Sequence, residues 1–134
     1  FYKEKNYNVY LLGKNKSLET EYQSVLKKDS VISLLGKTSL EEATYLLSLV
    51  DLVITNDSGL MHITASVNTN LISLFGSSSP FYTPPLMKDQ FGEVIYKALT
   101  CSPCFKKECP LQHLNCLNNI SAEEIFNKST KYLD

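Results

Sequence analysis

Short apolar runs alternate with longer amphipathic segments along this chain. Four runs rich in aliphatic and β-branched residues predict β-strands at residues 7–12, 31–34, 51–55 and 71–75. The segments after the first three runs carry apolar residues at the spacing of one helix face. A strand that alternates with a helix in this way predicts an α/β fold, with a doubly wound parallel sheet, right-handed crossovers and flanking helices.

Serine and glutamate residues mark the predicted helix starts. In the capping box Ser-x-x-Glu, each side chain accepts a hydrogen bond from the other residue's backbone N–H. Three helices are predicted from a serine start: one from Ser17 to about Lys27, one from the box Ser39-x-x-Glu42, and one from the box Ser121-x-x-Glu124 to Leu133. A fourth helix follows the turn at residues 56–59 and reaches about Val67.

Two further segments complete the predicted order of elements. Residues 76–85 contain three prolines and three serines, which favour turns and extended backbone, so they predict a loop that leaves the carboxyl end of a strand. Residues 93–98 predict a fifth strand.

Length and composition indicate one soluble globular domain. The chain has 134 residues, 43% of them hydrophobic and 20% charged, and no apolar run approaches the roughly eighteen residues that would cross a bilayer. A formal net charge of −1 lacks the basic character of a nucleic-acid-binding protein, so no nucleic acid partner is expected. The first six residues are typical of the tail of a helix that begins elsewhere, and we therefore expect the chain to be a fragment.

The turn at residues 56–59 is the candidate binding site. All thirteen basic residues are lysines, so an anion must be bound by backbone N–H groups, hydroxyls, lysine or histidine rather than by an arginine clamp. A helix N-terminus at the carboxyl end of a strand offers free N–H groups, and Gly59, Ser58 and His62 would complete a diphosphate site. Asp57 is expected to cap the helix. Spacing alone allows equally a plain turn followed by a histidine of the core.

The wider pattern resembles one enzyme family. The segment DLVITNDSGLMH at residues 51–62 is similar to the signature of the heptosyltransferases, glycosyltransferase family 9. The resemblance extends to residues 36–42, 74–80, 83–85 and 101–110, and runs from about Tyr7 to the end of the chain. Within the family it is strongest for the heptosyltransferase II type, with types I and III as alternatives.

This resemblance implies a fold and an activity. The family has the GT-B arrangement of two Rossmann-like domains with the active site between them, and residues 1–134 would be the C-terminal donor-nucleotide-binding domain, incomplete at its N-terminus. The enzyme would transfer heptose from ADP-heptose to the inner core of lipopolysaccharide with inversion and without a metal, in the cytoplasm at the inner-membrane surface. The catalytic base would lie in the absent N-terminal domain, so this chain alone would bind the donor and not turn it over.

The resemblance also assigns residues to the donor. Asp57, Ser58 and Gly59 would hold the ADP phosphates with Leu60 and His62 near them, Thr38 would lie beside the adenine, and Glu19 would bind the ribose hydroxyls. For Glu19 a solvated position in the first turn of a helix is the alternative.

Four cysteines are confined to residues 101–116, which suits a reducing compartment better than a disulfide framework. They are Cys101, Cys104, Cys109 and Cys116. Their ligand type and close first pair suit a structural tetrahedral zinc ion, and His113 lies within the last interval. The spacing matches neither common ferredoxin pattern. Reduced structural thiols and disulfides remain alternatives.

A binding module is the competing function. A zinc knuckle could present Phe105, Lys106 and Lys107 to RNA or to a protein partner. Two lysines and one aromatic residue are a small footprint for such an interaction, and a solvated loop accounts for them equally well.

Overall fold

All five predicted strands are present in the computed structural model, which describes residues 7–26, 30–88 and 92–133. The strands are β1 (Val9–Leu11), β2 (Val31–Ser33), β3 (Val53–Asn56), β4 (Leu71–Phe75) and β5 (Gly92–Tyr96). Every pair of neighbouring strands is parallel, as the alternation of strands and helices predicts.

The chain divides into two compact units, Phe1–Tyr45 and Leu46–Asp134. The first unit holds a two-stranded sheet of β1 and β2, in which Val9 lies opposite Val31. The second holds a three-stranded sheet in the order β3-β4-β5. Both sheets are parallel and have flanking helices, as the sequence pattern predicts.

Six helices lie in the described part of the chain. They are α1 (Leu18–Glu21), α2 (Gln23–Leu26), α3 (Leu40–Leu49), α4 (Gly59–Ser66), α5 (Asn115–Asn118) and α6 (Ala122–Leu133). None of these helices is long and apolar enough to cross a membrane.

The first predicted helix is broken, and its cap differs from the prediction. Tyr22 separates α1 from α2, and the predicted end at Lys27 lies outside the described residues. Ser17 makes no capping bond with its side chain. Its N–H and hydroxyl instead donate to Asn15 Oδ1, at 3.0 and 2.6 Å. The Ser17 hydroxyl, which was expected to cap the helix, is therefore hydrogen-bonded to the side chain of Asn15.

The two capping boxes have different outcomes. Both bonds of the first are present: Ser39 N–H donates to Glu42 Oε2 at 2.7 Å, and Glu42 N–H donates to Ser39 Oγ at 3.1 Å. In the second, only the bond from Glu124 N–H to Ser121 Oγ forms, at 3.0 Å. The carboxylate of Glu124 instead pairs with Lys97 at 2.7 Å, because a cation is a stronger partner than a neutral N–H.

Strand β4 is the centre of the second unit. Leu71, Ile72 and Phe75 are fully buried, and Leu71 and Phe75 form one apolar cluster with Met61 and Ala65 of α4. Because the buried face of α4 packs against β4, the first turn of that helix is fixed at the carboxyl end of the sheet. Strand β5 ends at Tyr96, two residues earlier than predicted, and Ala98 has left-handed backbone with φ of 47°.

Candidate functional site

The turn between β3 and α4 lies at the carboxyl edge of the three-stranded sheet. Asp57 N–H donates to the carbonyl of Leu74 at 3.2 Å, which extends the pairing of β3 with β4 by one residue. Ser58 follows in extended conformation, with φ of −158° and ψ of 169°, and α4 begins at Gly59. N–H groups in the first turn of a helix have no partner within it and carry partial positive charge, so this edge suits an anion.

Gly59 stands beside open space. A Cβ atom built at this position would meet no atom within 4 Å, whereas one built at Gly76 would meet Leu117 at 2.8 Å. The left-handed backbone that favours glycine occurs at Gly36 and not at Gly59. Neither packing nor backbone conformation therefore requires glycine at position 59, and a ligand has room to approach the backbone there.

The hydroxyl of Ser58 does not cap the helix. Ser58 holds the N-cap position of α4, but its side chain makes no capping hydrogen bond. Thr55 Oγ1 lies 3.4 Å from Ser58 Oγ and donates its own proton to the carbonyl of Asn56 at 3.1 Å. Ser58 is therefore the donor in this long contact, and a ligand that accepts from Ser58 would replace Thr55.

Asp57 is not the helix cap, and that prediction is wrong. Its Oδ2 accepts a hydrogen bond from Thr83 Oγ1 at 3.2 Å, so the carboxylate ties the turn to the loop after β4. Ser58 occupies the N-cap position in its place. The sequence does not predict Thr83 as a partner of Asp57, and the hydroxyl of Thr83 also lies 3.2 Å from the carbonyl of Ser79.

His62 is exposed, so the interpretation as a histidine of the core is wrong. The buried residues of α4 are Met61, Thr64 and Ala65, and His62 is not among them. Leu60 is half-buried in the first turn. The second unit therefore brings together five of the seven residues assigned to the donor, which are Asp57, Ser58, Gly59, Leu60 and His62.

The other two assigned residues, Glu19 and Thr38, belong to the first unit. Glu19 Oε1 accepts a hydrogen bond from Ser33 Oγ at 2.7 Å and lies 3.1 Å from Lys37 Nζ. The hydrogen bond from Ser33, which has the larger effect, and the one from Lys37 hold the pKa of the Glu19 carboxyl below its usual range. Glu19 therefore has two partners in the fold, although its carboxylate stays partly exposed to solvent. Thr38 is half-buried.

The Glu19 carboxylate makes the free energy of unfolding of the chain depend on pH. A carboxyl whose pKa is lower in the folded state stabilises that state above its unfolded pKa, and the contribution is lost as the pH falls through the folded pKa. We expect the unfolding free energy of the wild type to fall more steeply over that acidic range than that of Glu19→Gln. Denaturant titrations across the range measure this, with Glu21→Gln as the control for a carboxylate removed from the same helix. Parallel profiles for the wild type and Glu19→Gln would contradict it.

The cysteine segment surrounds a small cavity. The cavity has a volume of about 110 Å³ and is lined by all four cysteines and by His113. All four thiols are free and half-buried. Backbone N–H groups, with that of Leu114 foremost, lower the pKa of the Cys109 thiol. Over residues 7–26, 30–88 and 92–133, no three histidine, cysteine or acidic side chains are grouped so as to hold a metal ion, and zinc stays a prediction.

Comparison with known proteins points to one family. The model of glycosyltransferase family 9 (heptosyltransferase) matches residues 1–115. Lipooligosaccharide heptosyltransferase 2 of Haemophilus influenzae is 46% identical over 85 residues, which cover 60% of this chain and 25% of that protein. The protein of the same name from Campylobacter jejuni is 28% identical over 133 residues, which cover 96% of this chain and 41% of that protein.

A solved structure supports the same assignment. The structure of E. coli ADP-heptose lps heptosyltransferase II superposes with a TM-score of 0.64 and 30% sequence identity. The match covers 96% of this chain and 39% of that one. The chain thus spans about two fifths of the length of the relatives that match nearly all of it.

Proposed function

Because the chain belongs to glycosyltransferase family 9, we propose that it is the C-terminal, donor-binding domain of a type II heptosyltransferase. Its fold class is that of the family's GT-B enzymes, with parallel sheets and flanking helices. The full-length enzyme would transfer heptose from ADP-heptose to the inner core of lipopolysaccharide. It would act in the cytoplasm, peripheral to the inner membrane, with no nucleic acid partner.

The open space at Gly59 is the observation that best supports this proposal. Gly59 begins α4 at the carboxyl edge of a parallel sheet, and nothing within 4 Å of its missing Cβ accounts for a glycine. A diphosphate bound there would receive hydrogen bonds from backbone N–H groups and from the hydroxyl of Ser58, which would leave its long contact with Thr55. Asp57, tied to Thr83, would hold the turn in place without facing the phosphates.

The remaining assigned residues take roles that suit their surroundings. His62 is exposed one turn along α4 from Ser58, where an imidazole could meet charge that develops on the leaving diphosphate. In the first unit, one oxygen of Glu19 is held by Ser33, which leaves the second able to accept from a ribose hydroxyl. Thr38 would lie beside the adenine.

Transfer by this enzyme requires groups from outside the chain. An acceptor hydroxyl attacks the anomeric carbon of the heptose, the bond from that carbon to the diphosphate oxygen breaks, and ADP leaves with inversion. A base must take the proton of the acceptor hydroxyl, and we expect an aspartate of the N-terminal domain in that role. This chain would stabilise the departing ADP, and the reaction would need no metal. The acceptor would be selected largely by the N-terminal domain, which distinguishes type II from types I and III.

Nucleotide binding by the chain tests the proposal. Calorimetric titration with ADP, UDP and GDP should reveal weak binding of ADP in preference to the other two, and no hydrolysis of ADP-heptose. Weak binding is expected because half of the cleft is absent. UDP and GDP carry the same diphosphate, so they control for binding that depends on charge alone.

Two outcomes would contradict the donor-site assignment. One is equal affinity for all three nucleotides. The other is tighter binding of an RNA oligonucleotide than of any nucleotide, which would favour the interaction module built on Phe105, Lys106 and Lys107.

A further inference from the structure

The cysteine segment is fastened to the end of strand β4. Ser102 Oγ donates to the carbonyl of Gly76 at 2.7 Å, and Phe105 N–H donates to the carbonyl of Ser77 at 2.8 Å. Leu117 packs against Gly76 so closely that no Cβ would fit between them. These contacts bring four half-buried thiols from different parts of the segment to one cavity.

Three residues of the segment have unfavourable backbone conformation. Phe105, Gln112 and Leu114 have left-handed backbone, with φ of 54°, 57° and 51°. This conformation is unfavourable for a residue other than glycine, because its Cβ atom lies too close to the following carbonyl oxygen. Leu111 and Leu114 are 58% and 47% exposed, so burial of apolar side chains offsets only part of that cost. A bound ion that links several side chains would hold such a segment.

His113 also lines the cavity, but it has a hydrogen bond of its own. Its Nδ1 accepts from Asn115 N–H at 3.0 Å. Ligation by this nitrogen would break that bond, whereas the four thiols are free of disulfides. The cysteines are therefore the favoured ligands.

We propose that Cys101, Cys104, Cys109 and Cys116 bind one Zn²⁺ through four thiolates. In the described residues the side chains are not grouped to hold an ion. Binding therefore requires the thiols to rotate towards the cavity, each losing its proton to solvent. A cavity of about 110 Å³ leaves room for an ion with Zn–S distances of about 2.3 Å. This site is structural and does not depend on the proposed donor site.

Metal analysis and cobalt substitution on the full-length protein test the site. Protein purified under reducing conditions from zinc-supplemented medium should contain one equivalent of zinc and lose melting temperature when a chelator is added. Co²⁺ in place of zinc should give thiolate-to-cobalt charge-transfer bands and the intense visible bands of tetrahedral coordination. Protein without zinc after supplementation and reconstitution, or a cobalt form without these bands, would overturn the proposal.

Matched variants test the ligand set. Cys109→Ser and Cys116→Ser should each lower zinc affinity at least tenfold, and His113→Gln should retain the wild-type stoichiometry and cobalt spectrum. Loss of zinc from His113→Gln as large as that from Cys116→Ser would overturn the four-cysteine assignment. The cobalt spectrum of the wild type decides between binding and no binding even where a cysteine variant fails to fold.

Discussion

Replacing Gly59 with alanine in the full-length enzyme is expected to raise the Michaelis constant for the donor by about ten- to a hundredfold, and to leave that for the acceptor nearly unchanged. The new methyl group would occupy the space where the backbone approaches the diphosphate. Because nothing beyond the adjacent residues and the backbone of its own helix lies within 4 Å of that position, the fold should accept it. Alanine in a helix is favoured over glycine by up to about 1 kcal/mol, so the melting temperature should be unchanged or higher.

Ser66→Ala is the matched control for this experiment. Ser66 is the last residue of the same helix and is exposed, and its hydroxyl donates to the carbonyl of Ile63 at 2.7 Å. We expect wild-type kinetics from this variant. A Gly59→Ala enzyme that is stable and has an unchanged Michaelis constant for the donor would mean that nothing binds at the start of α4.

Replacing Ser58 with alanine should lower the donor efficiency, kcat/KM, by about ten- to a hundredfold. A hydroxyl that donates to an anion contributes roughly 1.5–3 kcal/mol, and this hydroxyl has no capping bond to lose. The free energy of unfolding should therefore change little. Loss of a true N-cap hydrogen bond would instead cost about 1 kcal/mol. Steady-state kinetics and thermal unfolding of the same preparation separate the two effects.

Ser58→Thr supplies the control, since it keeps a hydroxyl at the position. We expect it to recover most of the donor efficiency that Ser58→Ala loses. If Ser58→Ala is less stable but keeps wild-type donor kinetics, the Ser58 side chain stabilises the fold and does not bind the donor.

Local sequence signals predicted the elements well. The buried strand at residues 71–75 was predicted with its observed bounds, because a run of apolar residues between turn formers needs no partner to be recognised. The box at Ser39 and Glu42 formed both of its bonds for the same reason. Each of these features depends on residues that are neighbours in the sequence.

The errors arose where a distant residue supplied a better partner. The carboxylate of Asp57 is bound by Thr83, 26 positions away, and that of Glu124 by Lys97, 27 positions away. No spacing rule connects such pairs before the sheet is built.

The sequence predicted where the candidate site lies but not whether it binds a ligand. The sequence placed Ser58, Gly59 and His62 at a helix start but could not distinguish a binding site from a plain turn. The exposure of His62 and the open space at Gly59 favour a binding site, because both are properties of the folded surface.

Amide NMR spectra of the chain recorded during titration with ADP test the central claim most directly. If the start of α4 binds the diphosphate, the N–H signals of Ser58, Gly59 and Leu60 should move in proportion to the bound fraction, and further than those at the end of the helix. Adenosine, which lacks the phosphates, should leave these three signals in place. ADP-dependent shifts that spare Ser58, Gly59 and Leu60 would contradict the assignment of this turn to the donor.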